Sequence, residues 1–437
     1  MNLRLTLLLA LAGAPALTLA LAAAPSIAAP TTATAPEQVA APIILTNATI
    51  LTGDGQRIEN GSILIEGGKI TRVEASAITN VPEATSVDLG GKLVTPGLIA
   101  ADTQLGLIEI DGEDSTHDEA RKDGDGEIRA GYDPASAINA DSSLIPVQAI
   151  EGVTTAAVAP RGGLFSGEVA WIDLLPGDYT NIVAAERVAV AVTFGRVVAG
   201  SRAASLSQLR KAFEDAQWYR KNQRDYDRGQ ARELVAHPLD LRALWPVLDK
   251  QIPLVVRANR ASDLLALCEL ATELGVRITA VGATEGWKVR EQLATAKIAV
   301  VVQPTQNLPG DFDHLGARLD NAALLHEAGV TVAIAHFGSH NARNITQEAG
   351  IAVANGLPAD AALAAVTVNV ARAYGMDAEY GTIATGKVAS LVVWDGSDPF
   401  ELSTWAEQVY VRGRVLDMRS RQTQLRDRYM DLSRFSD

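Results

Sequence analysis

Short apolar runs alternate with longer segments of helical spacing between residues 98 and 335 of this chain. This alternation is typical of parallel β-strands joined by helices, and it restricts the chain to the α/β class. Seven runs predict strands: Leu98–Ala101, Thr154–Ala159, Val188–Phe194, Leu254–Ala258, Arg277–Val281, Ile298–Val302 and Val332–Ala335. The clearest predicted helices are Ala261–Leu274, Thr284–Ala294 and Ala317–Ala328. An eighth strand, at Glu233–Ala236, is only weakly marked.

The number of these units distinguishes between two α/β folds. Seven or eight strand–helix units over about 280 residues fit a closed (β/α)8 TIM barrel better than an open, doubly wound sheet. The open sheet also lacks its usual motif, because no G-x-G-x-x-G follows the first predicted strand. We therefore predict a barrel over residues 96–379.

Both ends of the chain that flank this region are rich in β-branched residues and turn signals. The strands predicted there are Ile43–Ile50, Ser62–Ile65, Ile70–Val73, Val87–Val94, Ser390–Trp394 and Val409–Val411. Two β-rich pieces around one α/β middle indicate a single small domain assembled from both termini. We expect a β-sandwich built from residues 43–95 and 380–418, followed by a C-terminal tail over residues 419–437.

The first thirty residues have the composition of a secretory signal. Arg4 precedes an almost unbroken Leu/Ala run over Leu5–Leu21, and Ser26-Ile27-Ala28 offers a cleavage site between small residues. A membrane anchor is the alternative, since the apolar run approaches the roughly 20 residues that span a bilayer. Pro15 and Pro25 favour cleavage. We predict a signal peptide over residues 1–29, a linker over 30–42, no stable membrane span after cleavage, and a periplasmic or secreted protein.

Charge and cysteine content exclude two further possibilities. The chain has 38 basic and 52 acidic residues and a formal net charge of −14, which argues against nucleic acid as a partner. Its single cysteine, Cys268, excludes an internal disulfide.

Four segments resemble the amidohydrolase superfamily, most nearly its imidazolonepropionase-like and prolidase-like branch. They are Ile63–Ile70 (ILIEGGKI), Lys92–Ile99 (KLVTPGLI), Thr367–Ala371 (TVNVA) and Gly386–Trp394 (GKVASLVVW). The likeness covers nearly all of the chain from Ile43 to Arg426, and it implies the same barrel and sandwich. It also implies hydrolysis of C–N bonds by a water that one or two divalent metal ions, usually zinc, activate.

The metal ligands that the resemblance implies are absent from this sequence. The first strand of the family ends in His-x-His, and here Asp102 and Gln104 stand at those positions. The fifth strand has Arg257 or Asn259 in place of a histidine, and a guanidinium there would repel a cation. The sixth strand has Gly282 in place of another histidine. We therefore expect no metal ligands and no cofactor, although zinc would be the metal of the family.

The eighth strand leaves two registers open. Either Phe337 or His336 takes the position of the family's aspartate, which binds metal and acts as the general base. If His336 takes it, its imidazole would lie beside Asp102, because the first and eighth strands of a barrel are neighbours. Such a pair is our candidate catalytic pair, or else a buried polar pair that fills the pocket. Other residues predicted near the barrel mouth, as candidates for substrate binding, are Gln104, Arg257, Asn259, Glu285 and His340.

Two functions follow from these expectations. The first is a non-catalytic or altered binding subunit that recognises a small-molecule ligand, forms a homo-oligomer, or pairs with a metal-competent sister subunit. The alternative is a hydrolase that acts on amide, cyclic amide or dipeptide bonds through a rebuilt site. The fold resemblance favours the hydrolase, whereas the loss of the metal ligands favours the binding subunit.

Overall fold

A computed structural model describes residues 41–120 and 127–430 of the chain. The predicted signal peptide and most of the predicted linker lie outside these residues. Within the two described ranges, no helix is both long and apolar enough to cross a membrane.

The chain enters the described structure through five strands. They are β1 (Ile43–Leu51), β2 (Arg57–Glu66), β3 (Lys69–Glu74), β4 (Thr85–Asp88) and β5 (Leu93–Pro96). The turn between β2 and β3 shows how the sequence determines this module. Glu66 pairs with Lys69 across a two-residue loop, and both loop residues have positive φ, +55° at Gly67 and +77° at Gly68. A two-residue hairpin of this type requires positive φ at both positions, which glycine adopts without steric cost.

Eight strands then form the second sheet. They are β6 (Leu98–Thr103), β7 (Val153–Val158), β8 (Phe165–Asp173), β9 (Val183–Thr193), β10 (Leu254–Ala258), β11 (Ile278–Gly282), β12 (Ala299–Val302) and β13 (Val332–Ile334). They pair in sequence order from β6 to β13. The predicted barrel sheet is confirmed, and all seven strongly marked strands are present.

The eighth strand was predicted at the wrong place. Residues 233–236 are not a strand, and the missing member of the sheet is β8, which runs antiparallel to both β7 and β9. Every residue of β8 is buried, yet its sequence mixes apolar residues with Ser166, Glu168 and Asp173. Neither strict alternation nor an unbroken apolar run marks it, because Glu168 and Asp173 are buried as ion pairs with Arg187 and Arg412.

The helices cover the outside of the sheet and fill the connections. Thirteen α-helices are described: Leu144–Ala149, Arg196–Ala199, Arg202–Lys221, Gln223–Asp227, Pro238–Ala243, Trp245–Leu248, Ala261–Leu274, Arg290–Thr295, Asn321–Glu327, Ile345–Ala354, Ala359–Ala365, Val368–Tyr374 and Arg421–Met430. Short 3₁₀ turns occur at Asp114–Thr116, Pro134–Ala137, Gly286–Val289 and Ser339–Asn344. The predicted helix at 261–274 has the same bounds in the structure, and it ends at Gly275, where φ is +65°.

Three strands return to the first sheet at the end of the chain: β14 (Leu391–Trp394), β15 (Ala406–Val411) and β16 (Arg414–Val415). β14 pairs antiparallel with β5, with Leu391 opposite Pro96 and Trp394 opposite Leu93. The resulting order is β16-β15-β14-β5-β1-β2-β3, with β4 beside β1. The prediction of a small β domain built from both termini is therefore confirmed.

Small side chains line much of the barrel interior. Alanines contribute from four strands or their ends: Ala101, Ala157, Ala159, Ala189, Ala191, Ala333 and Ala335. Barrel interiors are usually filled by bulky branched residues. Here Trp171 and Tyr374 occupy the space instead, with their ring centroids 6.0 Å apart, and Tyr380 packs edge-on against Trp171 at 5.5 Å.

A buried carboxylate joins the barrel to the sandwich. Asp173, at the end of β8, is fully buried, and it accepts hydrogen bonds from Thr155 Oγ1 at 3.2 Å, Tyr380 OH at 3.1 Å and Arg412 Nη1 at 3.0 Å. Arg412 follows β15 of the sandwich. Burial raises the pKa of Asp173, and the hydrogen bond and charge of Arg412 oppose that rise.

Replacing Arg412 by alanine would leave the Asp173 carboxylate without its cation. We expect Arg412→Ala to lower the free energy of unfolding by about 3 kcal/mol, because a broken buried pair leaves an uncompensated charge. A carboxyl whose folded-state pKa is raised loses stability as pH rises through that pKa, so the deficit should be larger at pH 8 than at pH 4. Urea denaturation at both pH values measures the deficit.

The matched control for this prediction is Arg419→Ala, which removes an exposed guanidinium paired with exposed Asp417. The control should change stability little at either pH. Equal effects of the two substitutions would show that Arg412 does not anchor the sandwich.

Candidate functional site

A bulge at the end of β6 positions the central side chain of the site. The pairing of β6 with β7 shifts register between Ala100 and Thr103, and Asp102 within this bulge has a φ of +54°. Aspartate tolerates this left-handed conformation better than most residues, and bulges commonly redirect a side chain. The Asp102 side chain is almost completely buried.

Two arginines surround the Asp102 carboxylate. Arg257, near the end of β10, donates from Nε to Oδ2 at 3.0 Å and from Nη2 to Oδ1. Arg161, just after β7, donates from Nη1 to Oδ2 at 3.0 Å and from Nη2 to the main-chain oxygen of Asp102 at 3.1 Å. Bidentate guanidinium–carboxylate pairs of this type are among the strongest hydrogen-bonded contacts in proteins.

Opposing effects determine the protonation of Asp102. Burial raises the pKa of its carboxyl, whereas the charge and the hydrogen bond of Arg257 lower it. The guanidinium groups stay protonated under all ordinary conditions. The cluster therefore holds two permanent cations around one carboxylate at the mouth of the barrel.

At the end of β11, where the resemblance implies a histidine, Gly282 lies against the side chain of Asn259. Gly282 has a φ of +93°, and a Cβ placed on it would lie 2.2 Å from Oδ1 of Asn259. That oxygen already accepts a hydrogen bond from Thr284 Oγ1 at 2.9 Å. A histidine at position 282 would thus require both a strained backbone and displacement of Asn259.

Gln104 is held by hydrogen bonds within the protein. Its Nε2 donates to the oxygen of Ala159 at 3.2 Å, and its Oε1 accepts from Ser339 Oγ at 3.3 Å. Ser339 Oγ also accepts the main-chain N–H of Gln104 at 2.9 Å. No backbone ladder joins β6 to β13 in the described part of the chain, so these bonds connect the two ends of the sheet.

Asp102 and His336 do not form a direct hydrogen bond, and their role as a catalytic pair stays a prediction. In residues 41–120 and 127–430, no hydrogen bond or ion pair links the two side chains, and Asp102 binds arginines instead. Phe337 packs against the residues of the barrel interior, which is the competing register. His336 Nδ1 accepts the N–H of Gly338 at 3.2 Å. A guanidinium offers the buried carboxylate a permanent charge and several N–H donors, which an imidazole does not.

The hydrogen-bond partners of Glu285 and His340 are residues other than Asp102. Glu285 Oε2 accepts the N–H of Ala261 at 3.0 Å, and its Oε1 pairs with Lys288 Nζ at 2.6 Å. The carboxylate thus caps the helix Ala261–Leu274. His340 Nε2 lies 3.1 Å from the main-chain oxygen of Glu109. Substrate binding by Glu285 and His340 stays a prediction.

This donor set does not fit the metal of the family. The Asp102 oxygens are engaged by arginines, and Gln104 is a poor zinc ligand whose amide is also hydrogen-bonded. Among the described residues, no three His, Cys, Asp or Glu side chains are grouped so that they could hold an ion. The guanidinium of Arg257 binds Asp102, the residue at the first ligand position that the resemblance implies.

Sequence reasoning missed Arg161, the second cation of the cluster. It lies in Pro160-Arg161-Gly162-Gly163, directly after a correctly predicted strand. A charged residue at the carboxyl end of a barrel strand was the available signal. The pairing of Arg161 with Asp102 could not be predicted, because it depends on the bulge that directs the Asp102 side chain.

Comparison with known proteins agrees with this fold. The amidohydrolase family model matches residues 259–416. The crystal structure of an amidohydrolase from Thermotoga maritima has 25% identity and a TM-score of 0.76, and the alignment covers 86% of this chain and 100% of that one. The chain belongs to the amidohydrolase superfamily.

Curated relatives match this superfamily member over parts of their length. Imidazolonepropionase from Maricaulis maris is 33% identical over 114 residues, which is 25% of this chain and 28% of that protein. Amidohydrolase tasK from Hapsidospora irregularis is 26% identical over 426 residues, covering 85% of this chain and 43% of that protein. The chain thus spans less than half of the length of either relative.

The arginine cluster predicts the metal content of this amidohydrolase-superfamily protein. After dialysis of untagged protein against a mild chelator, we expect well under about 0.1 zinc per chain, because zinc normally takes three or four protein ligands. Elemental analysis measures this ratio before and after dialysis, with a known zinc enzyme treated in parallel. About one retained zinc per chain would contradict the assignment of Asp102 to the arginines.

Proposed function

We propose that this chain is an exported, altered member of the superfamily that binds carbon–nitrogen compounds at its barrel mouth without metal-dependent hydrolysis. The observation that carries the proposal is the bidentate pair between Arg257 and Asp102, which takes the first ligand position of the family. Export to the periplasm or beyond rests on the composition of residues 1–29.

The chemistry of the arginines supports binding over catalysis. Hydrolysis needs a base or a Lewis acid to activate water, and a guanidinium in a protein cannot lose its proton. A guanidinium can still donate hydrogen bonds to the carbonyl oxygen of an amide. The Arg161 side chain is 29% exposed, so it is accessible to a ligand that approaches the mouth.

Hydrolysis through a rebuilt site is the second candidate, and it is favoured by the names of the relatives. In that case Asp102 would have to accept a proton from water. Its Oδ2 already accepts N–H donors from both Arg161 and Arg257, and Oδ1 accepts another from Arg257. Proton transfer would therefore require displacement of at least one guanidinium, which makes the carboxylate a weak base.

The ligand itself could be recognised by this chain alone or with a partner. A homo-oligomer or a complex with a metal-competent sister subunit is compatible with a member that has kept the barrel and changed the chemistry of its mouth. Light scattering of the purified chain distinguishes a homo-oligomer from a monomer that needs a partner.

A panel of N-acyl amino acids, dipeptides and cyclic amides tests the proposal. We expect no turnover above that of Asp102→Asn, with or without added zinc. At least one compound class should raise the thermal midpoint of the wild type, and Arg161→Gln should lose that rise. Arg187→Gln is the matched control, because Arg187 also pairs with a partly buried carboxylate, Glu168, on the β8–β9 hairpin.

The opposite result identifies an enzyme. Turnover that disappears in folded Asp102→Asn or His336→Gln protein would replace the binding proposal by a rebuilt hydrolase. Turnover that survives both substitutions would exclude these two residues as the catalytic pair.

A further inference from the structure

Three hydrogen-bond donors in the barrel interior have no partner among the described residues. They are Nε1 of Trp171, the hydroxyl of Tyr374 and Nη1 of Arg257. The side chains of Trp171 and Tyr374 are at least nine-tenths buried. A buried donor without an acceptor costs about 1–3 kcal/mol, so three in one interior require an explanation.

The three donors share one region of the barrel. The rings of Trp171 and Tyr374 lie 6.0 Å apart, and the Tyr374 hydroxyl is close enough to Asp102 and Arg257 for their charges to affect it. The backbone N–H of Asp102 interacts with the phenol oxygen, which leaves the phenol proton to donate elsewhere.

The phenol is a donor and not an anion. Burial and the nearby charge of Asp102 both raise the pKa of Tyr374, so its hydroxyl keeps its proton at neutral pH. All three orphaned groups therefore present hydrogen atoms. The missing partner must be an acceptor.

The charge of the surrounding ion pairs indicates the charge of this acceptor. Two guanidiniums, Arg161 and Arg257, share the single carboxylate of Asp102. Deeper in the barrel, Asp173 is already balanced by Arg412. The charge around Asp102 is therefore net positive by one, which favours an acceptor that carries one negative charge.

We propose that the barrel interior holds a monovalent inorganic anion of chloride size, bound by Trp171 Nε1, Tyr374 OH and Arg257 Nη1. A halide accepts several hydrogen bonds from any direction and brings no proton of its own. A water molecule would satisfy donors, but it would leave the charge excess and add two hydrogens that themselves need acceptors. The site adjoins the mouth cluster through Arg257, and its test uses chloride alone and not the proposed ligand.

Halide-dependent stability tests the site. Thermal midpoints are measured in sodium chloride and in sodium gluconate at equal ionic strength, because gluconate is too large to enter. We expect chloride to raise the midpoint of the wild type by about 2 °C between low and high concentration relative to gluconate. Trp171→Phe and Tyr374→Phe each remove one donor with little change in shape, and each should reduce that specific rise by at least half.

Matched controls keep this test specific. Trp405→Phe and Tyr179→Phe alter side chains that are 58% and 61% exposed, and they should retain the full chloride effect. A rise that persists unchanged in the interior variants would overturn the proposal. Equal thermal midpoints in chloride and gluconate would also overturn it, because they would indicate that water binds the three donors.

Bromide supplies a second measurement that does not depend on the variants folding well. A wild-type crystal grown in bromide should show an anomalous peak within about 3.5 Å of all three donor atoms. A peak absent from this position, with an ordinary water in its place, would overturn the proposal even if chloride stabilised the protein elsewhere.

Discussion

The buried ion pair between Asp102 and Arg257 is the interaction on which the rest of the barrel mouth depends. A carboxylate that is nearly inaccessible to solvent needs a cation beside it, since its desolvation would otherwise favour protonation or unfolding. Here the guanidinium of Arg257 meets that need, with Arg161 as a second cation, and neither group can activate water because a guanidinium keeps its proton.

The neighbouring positions are also filled by packed or hydrogen-bonded groups. Asn259 lies over Gly282, so an amide fills the space where the resemblance implies a histidine. Gln104 is hydrogen-bonded to Ala159 and Ser339 and helps to join the ends of the sheet. Phe337 is partly buried and packs against the barrel interior. At each of these positions the side chain packs or forms hydrogen bonds inside the fold, where the resemblance implies a metal ligand.

Prediction from sequence was accurate where one local signal dominated. The strand Leu254–Ala258 and the helix Ala261–Leu274 have their predicted bounds, because an unbroken apolar run and a helical period are each visible within a few residues. β8 was missed because buried charged residues interrupt its apolar pattern, and the partner of Asp173, Arg412, is distant in the chain. The loss of the metal ligands could be deduced from residue types, whereas the pairing of Asp102 with His336 depended on a register that differs by one residue.

The amino-acid sequence by itself determined the α/β class, the split β domain and the absence of the expected ligand histidines, since these follow from periodicity and from residue identity. Only the tertiary structure decided which side chains meet. The bulge at Asp102, the antiparallel β8 and the inward register of Phe337 each result from pairing between segments far apart in the chain. A shift of one residue in a strand reverses the direction of a side chain, and no local pattern encodes that choice when two adjacent residues, His336 and Phe337, both carry an aromatic ring.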